Sequence, residues 1–276
     1  MKLGRYTIPI GQRTCIMGIL NITPDSFSDG GKYAEPERAV DKGLEMAANG
    51  ADIIDIGGES SRPGAEAVTA SEEADRILPV VEKLSSEAGV PLSVDTCKSE
   101  VARQALSAGA VMVNDIRALR GDKRMASIVA QFGAGVALMH MKGEPGNMQM
   151  DPRYGDLIKE ISDHLAGSIK IAEDSGIDPE MIIVDPGIGF GKTLQHNLRI
   201  LKDLEKLKGL GKPLLVGTSR KSFIGKVTSK EVTGREFGTA ASVAVAIMNG
   251  ADMVRVHDVP QMRDVARVVD AIKTGV

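Results

Sequence analysis

PLSVDTCKSEVARQALSAGAVMVND, residues 91–115, decides the fold. It opens on a short apolar run ending in Asp95, crosses Ser99–Ser107 with apolar residues at helical spacing, stops at Ala108-Gly109, and enters a second apolar run ending in Asn114 and Asp115. Neither run shows the alternation of an antiparallel strand with one wet face, so both read as strands buried on both sides. A glycine after the last periodic residue is the usual helix stop. The stretch is therefore a strand, a helix and a second, parallel strand.

The same unit recurs outward in both directions. CIMGIL from Cys15 and ADIIDI from Ala51 precede it; GVALMH from Gly135, MIIVD from Met181, PLLVG from Pro213 and ADMVRV from Ala251 follow. That makes eight strands. Helical spacing covers 36–49, 71–88, 154–175, 194–207 and 260–272, with further stops at Asn49-Gly50, Ala88-Gly89 and Asn249-Gly250. Eight strand–helix units over 276 residues, with no low-complexity linker, predict one α/β domain over 1–276: a (β/α)₈ barrel, with its active site at the C-terminal ends of the strands. A doubly wound open sheet would need fewer strands or a second domain, and no boundary is visible.

Composition narrows the function. The 42% hydrophobic and 26% charged content is that of a folded globular chain. With 34 basic against 37 acidic residues there is no field to hold a polyanion, so nucleic acid is not an expected partner. Eight aromatics, none of them Trp, give little material for stacking platforms. Cys15 and Cys97 have no spacing partner, which argues against a disulfide scaffold or structural zinc and suits a reducing compartment. Residues 1–14 hold no apolar signal core, and no run approaches the roughly 20 apolar residues of a membrane helix, so a cytoplasmic location off the membrane is expected.

In a barrel of this kind chemistry gathers where the strands end. Those ends read Asn21 and Asp25; Asp55, Glu59 and Arg62; Asp95; Asn114 and Asp115; His140 and Lys142; Asp185; Ser219, Arg220 and Lys221; and Arg255, His257 and Asp258. A single Asp there is as readily a helix cap as a ligand group. Eight strands delivering polar groups to one rim are not explained by caps. Asp95, Asn114 and Asp185 directly follow apolar runs and should point into the barrel mouth, where buried carboxylates need partners. Two Asp and an Asn suit a flat heterocycle with several N–H donors, such as a pterin or guanine. Arg62, Lys221, Arg255 and His257 supply positive charge opposite. A heterocycle carrying phosphate or pyrophosphate, with Mg²⁺ as its bridging cation, fits that division.

NITPDSFSDGG from Asn21, GGESSRPG from Gly57, VDT from Val94, VND from Val113, HMKGEPGNMQ from His140, DPGIGFGK from Asp185, TSRKSF from Thr218 and RVHD from Arg255 resemble, in this order, the motifs of the dihydropteroate synthase family. The resemblance covers nearly the whole chain and falls on the strand ends reached above. It implies a pterin-binding barrel that joins hydroxymethyl-dihydropterin pyrophosphate to p-aminobenzoate and releases pyrophosphate, a target of sulfonamides. By that resemblance Asp95, Asn114, Asp185 and Lys221 hold the pterin, with Asp185 on its amino-pyrimidine edge. Asn21 binds Mg²⁺, while Ser61, Arg62, Arg255 and His257 hold the pyrophosphate. Pro63, Phe190, Lys221 and Ser222 form the p-aminobenzoate pocket, and Asp29 meets the incoming amine; Asp95, Lys221, Arg62 and Asp29 would act in catalysis. The resemblance also implies a homodimer formed by late helices, for which the small, apolar segment 238–248 is a candidate. Ser61 stands where the family usually has Thr, keeping the hydroxyl and losing a methyl.

Plainer readings also apply. GIGFGKT from Gly187 looks like a phosphate loop but has Pro186 where that pattern needs Gly. His164 and His196 read as surface or capping residues, His140 as a loop-orienting group, Glu59 as a loop brace, and Cys15 and most of the Met as core. A pterin-dependent methyltransferase would share Asp95, Asn114 and Asp185 but has no use for NITPDSFSDGG or SRKSF. A non-catalytic pterin or phosphate binder would lose the metal and loop residues Asn21, Asp29 and Arg62, all present here.

Overall fold

Each of the eight apolar runs forms a strand in the computed structural model, which describes residues 1–23, 35–60 and 67–275. A short hairpin of β1 (Lys2–Leu3) and β2 (Tyr6–Thr7) comes first. The barrel follows with β3 (Cys15–Asn21), α1 (Glu35–Ala48), β4 (Ile53–Gly57), α2 (Ala70–Glu87), β5 (Leu92–Asp95), α3 (Ser99–Ser107), β6 (Met112–Asp115) and α4 (Met125–Gln131). Its second half runs β7 (Gly135–Met139), α5 (Leu157–Asp174), β8 (Ile182–Asp185), α6 (Leu194–Lys202), β9 (Leu215–Val216), α7 (Ser222–Thr228), α8 (Glu236–Met248), β10 (Met253–Val256) and α9 (Val259–Thr274). The eight long-range strands pair in parallel in the order β8-β7-β6-β5-β4-β3-β10-β9. The ring closes between β8 and β9 through one bridge, Val184 with Leu214, and a bond from Val184 N to the Pro213 carbonyl of 3.0 Å.

Side chains alternate between barrel interior and helix layer because successive strand residues point to opposite faces. Met17, Ile53, Met112, Ala137, Ile183, Leu215 and Met253 form one interior cluster, closed from below by Leu3 and Ile8 of the N-terminal segment. Their strand neighbours Ile16, Ile54, Val113, Val136, Val184, Val216 and Val254 face outward into the larger core under the helices. Moving two residues toward the carboxyl end keeps a side chain inside. Ile53 leads to Asp55, Met112 to Asn114, Ile183 to Asp185 and Met253 to Arg255, so a polar layer lies directly on an apolar one.

Side chains cap several helices locally. Thr69 and Glu72 close a capping box on α2, Asp156 caps α5, and Thr193 caps α6 with His196 as its reciprocal partner. The helix expected over 194–207 ends at Lys202, and the chain continues as a tighter 3₁₀ stretch, Leu204–Leu210, into Gly211 in the left-handed region (φ 66°). Cys15 is buried core, as read, and Cys97 is half-buried, both as free thiols.

Candidate active site

Seven of the expected ligand-contacting residues line one opening at the carboxyl ends of the strands: Asp95, Asn114, Asp185, Phe190, Lys221, Arg255 and His257. Ile19, Ile116, Met139, Gly217 and Ser219 complete it. Asn21, at the end of β3, stands nearby: a Cβ on Gly57 would lie 3.5 Å from Asn21 Oδ1 and 3.7 Å from Asp95 Oδ2, so both oxygens border the space that residue 57 leaves open. Ser222 opens α7 and is exposed outside this lining. Asp29, Ser61, Arg62 and Pro63, with the rim residue Asp25, lie outside the described residues.

One wall is an ionic network. Asp55, fully buried, accepts from Asn114 Nδ2 at 2.9 Å and from Arg255 Nε at 2.6 Å, both on Oδ2. Arg255 Nη2 reaches Asp95 Oδ2 at 2.6 Å. The guanidinium therefore sits between two carboxylates, and Asp55 Oδ1 is buried with no hydrogen-bond partner among the described residues. Burial pushes Asp95 up to about 7, with Arg255 opposing and the carboxylates of Asp55, Glu73 and Asp115 reinforcing. For Arg255 burial works against the charge, but Asp55 and Asp95 outweigh it and raise the pKa.

The opposite wall carries Asp185 and Lys221. Asp185 Oδ1 accepts from Gly187 N at 2.7 Å, and burial raises its pKa against the pull of Lys221. Burial lowers Lys221 to about 8, with Asp185 partly restoring the ammonium. Its Nζ donates to the Ile188 carbonyl and lies 4.6 Å from the centroid of the Phe190 ring. His257 Nδ1 stands 2.9 Å from Ser219 Oγ. A carboxylate, an amide, an ammonium and a guanidinium thus converge on one opening, with an aromatic face at its edge.

Several supporting groups were legible only in part. Asp55 is visible as a strand-end acid, but its place as the hub between Asn114 and Arg255 depends on strands far apart in sequence. Glu59 braces its loop as expected: Oε1 accepts from Val68 N at 3.1 Å and Oε2 from Lys98 Nζ at 2.7 Å. Asp115 turns away from the opening to take the backbone N–H groups of Arg117 and Leu119. His164 is not a plain surface residue, because its ring packs edge-on to His140 with centroids 4.9 Å apart. Lys192, dismissed with the failed phosphate loop, proves to be buried, its amine 2.9 Å from His140 Nδ1.

Residues 17–257 match the family described as pterin binding enzyme. The chain belongs to that family. A curated relative named dihydropteroate synthase, from Synechocystis, is 47% identical over 273 residues, which cover 99% of this chain and 94% of the relative. Among solved structures, the dihydropteroate synthase of Clostridium difficile, determined in the presence of pteroic acid, superposes with a TM-score of 0.92 at 46% identity, covering 96% of this chain and 99% of that one. The Xanthomonas albilineans dihydropteroate synthase with 4-aminobenzoic acid gives 0.89 at 45% identity, covering 95% and 93%. The pterin-binding barrel expected from the sequence is the barrel found.

Proposed function

We infer that the chain is a dihydropteroate synthase of folate synthesis, joining hydroxymethyl-dihydropterin pyrophosphate to p-aminobenzoate with release of pyrophosphate. The observation that carries this is the meeting of two unlike subsites in one cavity: the acceptors Asp185, Asn114 and Asp95 at its base, and the Phe190 ring against Lys221 at its edge. Asp185 takes the amino-pyrimidine edge, since an ionised carboxylate accepts two parallel N–H bonds. Lys221 and Asn114 complete the pterin contacts. The second substrate rests on Phe190, with Lys221 and Ser222 toward its carboxylate and Pro63 beside it, and Asp29 meets its amine.

An aromatic amine is a weak nucleophile, whereas an electron-rich dihydropterin shares positive charge at its methylene. Departure of pyrophosphate ahead of attack is therefore favoured, and the protein must stabilise separated charges. Asp95 faces the cationic pterin; Arg255, His257, Ser61 and Arg62 hold the anion. Among the described residues no group of three or more His, Cys, Asp or Glu forms a metal cage. The donor that fits is the amide oxygen of Asn21 at the rim, which suits Mg²⁺ because that ion completes its shell with phosphate oxygens and water. Bound there, Mg²⁺ supplies charge neutralisation to the leaving pyrophosphate.

The direct test is a pyrophosphate assay. Release is expected only when both substrates and Mg²⁺ are present; release independent of p-aminobenzoate would leave a hydrolase instead. The acid and base limbs give a second test. Asp95 must be ionised and Lys221 protonated, so kcat/KM should rise through about pH 7 and fall above about pH 8, a narrow bell. A rate flat from pH 6 to 9 would remove both groups from the mechanism.

No helix among the described residues is long and apolar enough to cross a membrane, and two free thiols suit the cytoplasm. The partner expected is a second copy of the chain. Helix α8 buries Thr239, Ser242, Val243, Ala246 and Ile247 against its own barrel and leaves Phe237 (87% exposed), Val245 and Met248 outside; Val268 and Ile272 of the adjoining α9 are exposed too. These exposed apolar side chains on two adjoining helices are the surface such a dimer would bury. Sedimentation at micromolar concentration should give a dimer, and Phe237→Asp a monomer.

A further inference from the structure

Lys192 is 3% exposed, yet no ion pair reaches it among the described residues. Its Nζ lies 2.9 Å from His140 Nδ1, 3.0 Å from the Phe190 carbonyl oxygen and 3.3 Å from the His140 carbonyl oxygen. These three acceptors surround the amine, whose burial lowers its pKa well below the usual lysine range, so hydrogen bonds rather than an ion pair hold it. Burial keeps the His140 imidazole neutral, with its pKa down to about 2, so that in the tautomer protonated on Nε2 its Nδ1 accepts from the amine.

The surroundings explain why such a donor is needed there. The loop from β8 to α6 lies flush on the chain leaving β7: a Cβ at Gly187 would meet the His140 carbonyl oxygen at 1.9 Å, and one at Gly191 the Lys142 carbonyl oxygen at 2.1 Å. Contact that close brings carbonyl dipoles together away from water, and each needs a donor. Other groups serve the rest of the loop. Asn197 Oδ1 accepts from Gly189 N at 2.7 Å, Gln149 Nε2 donates to the Gly189 carbonyl at 2.6 Å, and Tyr154 Oη donates to that of Gly191 at 2.8 Å. The Phe190 carbonyl, among the described residues, meets only Lys192.

We propose that Lys192 is the positioning residue of the second-substrate pocket: it ties the end of β7 to the loop after β8 and so holds the Phe190 ring against Lys221. The inference rests on the dihydropteroate synthase reading of the site. Lys192 touches neither substrate; it acts through the Phe190 backbone. The pterin contacts Asp185 and Asn114 stand on strands β8 and β6 and share no hydrogen bond with Lys192; its charge supports the Asp185 carboxylate less than Lys221 or the Gly187 N–H does. Removing the amine should therefore loosen the acceptor pocket and leave the pterin base intact.

The test is Lys192→Met, which keeps the length of the side chain and removes its donors. KM for p-aminobenzoate should rise roughly tenfold, with kcat and the calorimetric affinity for the pterin pyrophosphate within twofold of the parent. His140→Leu removes one of the three acceptors and should show the same split at roughly threefold, which keeps the inference testable if the first variant does not fold. In the double variant the effects should not add, because both act through one contact. A fall in pterin affinity matching the p-aminobenzoate effect, or an unchanged KM in both variants, overturns the assignment. Failure of the parent enzyme to release pyrophosphate with both substrates overturns the underlying reading instead.

Discussion

Asp185→Asn should lose about 3 kcal/mol of pterin pyrophosphate affinity, on the order of a hundredfold in Kd, while folding normally. The substitution conserves volume. Its amide oxygen can keep the bond from Gly187 N that Asp185 Oδ1 now accepts at 2.7 Å. The other position becomes an N–H₂, which in this reading faces the N–H groups of the amino-pyrimidine edge. Asp185 is 6% exposed, so water cannot repair the mismatch, and a donor facing donors in a buried site costs more than the lost bond alone. Isothermal titration with the pterin pyrophosphate reads the loss directly. A second consequence follows from the pairing with Lys221, whose ammonium Asp185 supports against burial. With that carboxylate gone the Lys221 pKa should fall further below about 8, so the alkaline limb of kcat/KM should move to lower pH. Unchanged affinity together with an unmoved alkaline limb would remove Asp185 from the pterin site.

The strands were legible because barrel strands must be apolar on both faces, and runs such as MIIVD and ADMVRV have few other uses in a chain of this composition. The site was legible for the same geometric reason: a polar residue closing such a run keeps the parity of the interior residue two places before it, as Ile183 and Asp185 do. Elements with weak local signals escaped. The N-terminal hairpin pairs only two residues a side, and α4 and α7, at seven residues each, begin without a side-chain cap. What local pattern could not give was partnership. Arg255 and Asp55 are 200 positions apart in sequence and meet because β10 and β4 both flank β3. Lys192 follows a glycine-rich stretch that fails as a phosphate loop, and only the fold shows its amine turned inward to His140.

Asp55→Ala should destabilise the fold by about 3–5 kcal/mol, the cost of removing one partner from a buried ionic network. Asp55 Oδ2 takes bonds from both Arg255 and Asn114, so truncation leaves the Asn114 amide without its acceptor and Arg255 with Asp95 alone. The empty volume adds to the loss, since this layer is held between the apolar interior cluster and the cavity. A urea unfolding curve measures it. Destabilisation alone would be the mark of any buried residue, so the pH profile separates the hub from a mere core position. Asp95 owes part of its raised pKa to the like charge of Asp55, and Arg255 is the main force acting the other way. Without Asp55 the whole guanidinium serves Asp95, the carboxylate is favoured, and its pKa drops from about 7. The acid limb of kcat/KM should then move to lower pH in a protein that is less stable, a combination that general damage does not produce. Asp55→Asn gives the intermediate case, because its amide oxygen can serve Arg255 or Asn114 but carries no charge: it should lose less stability and still lower the acid limb. An acid limb that stays in place in both variants would mean that Asp95 titrates independently of the network, and that Asp55 only fills space beneath the site.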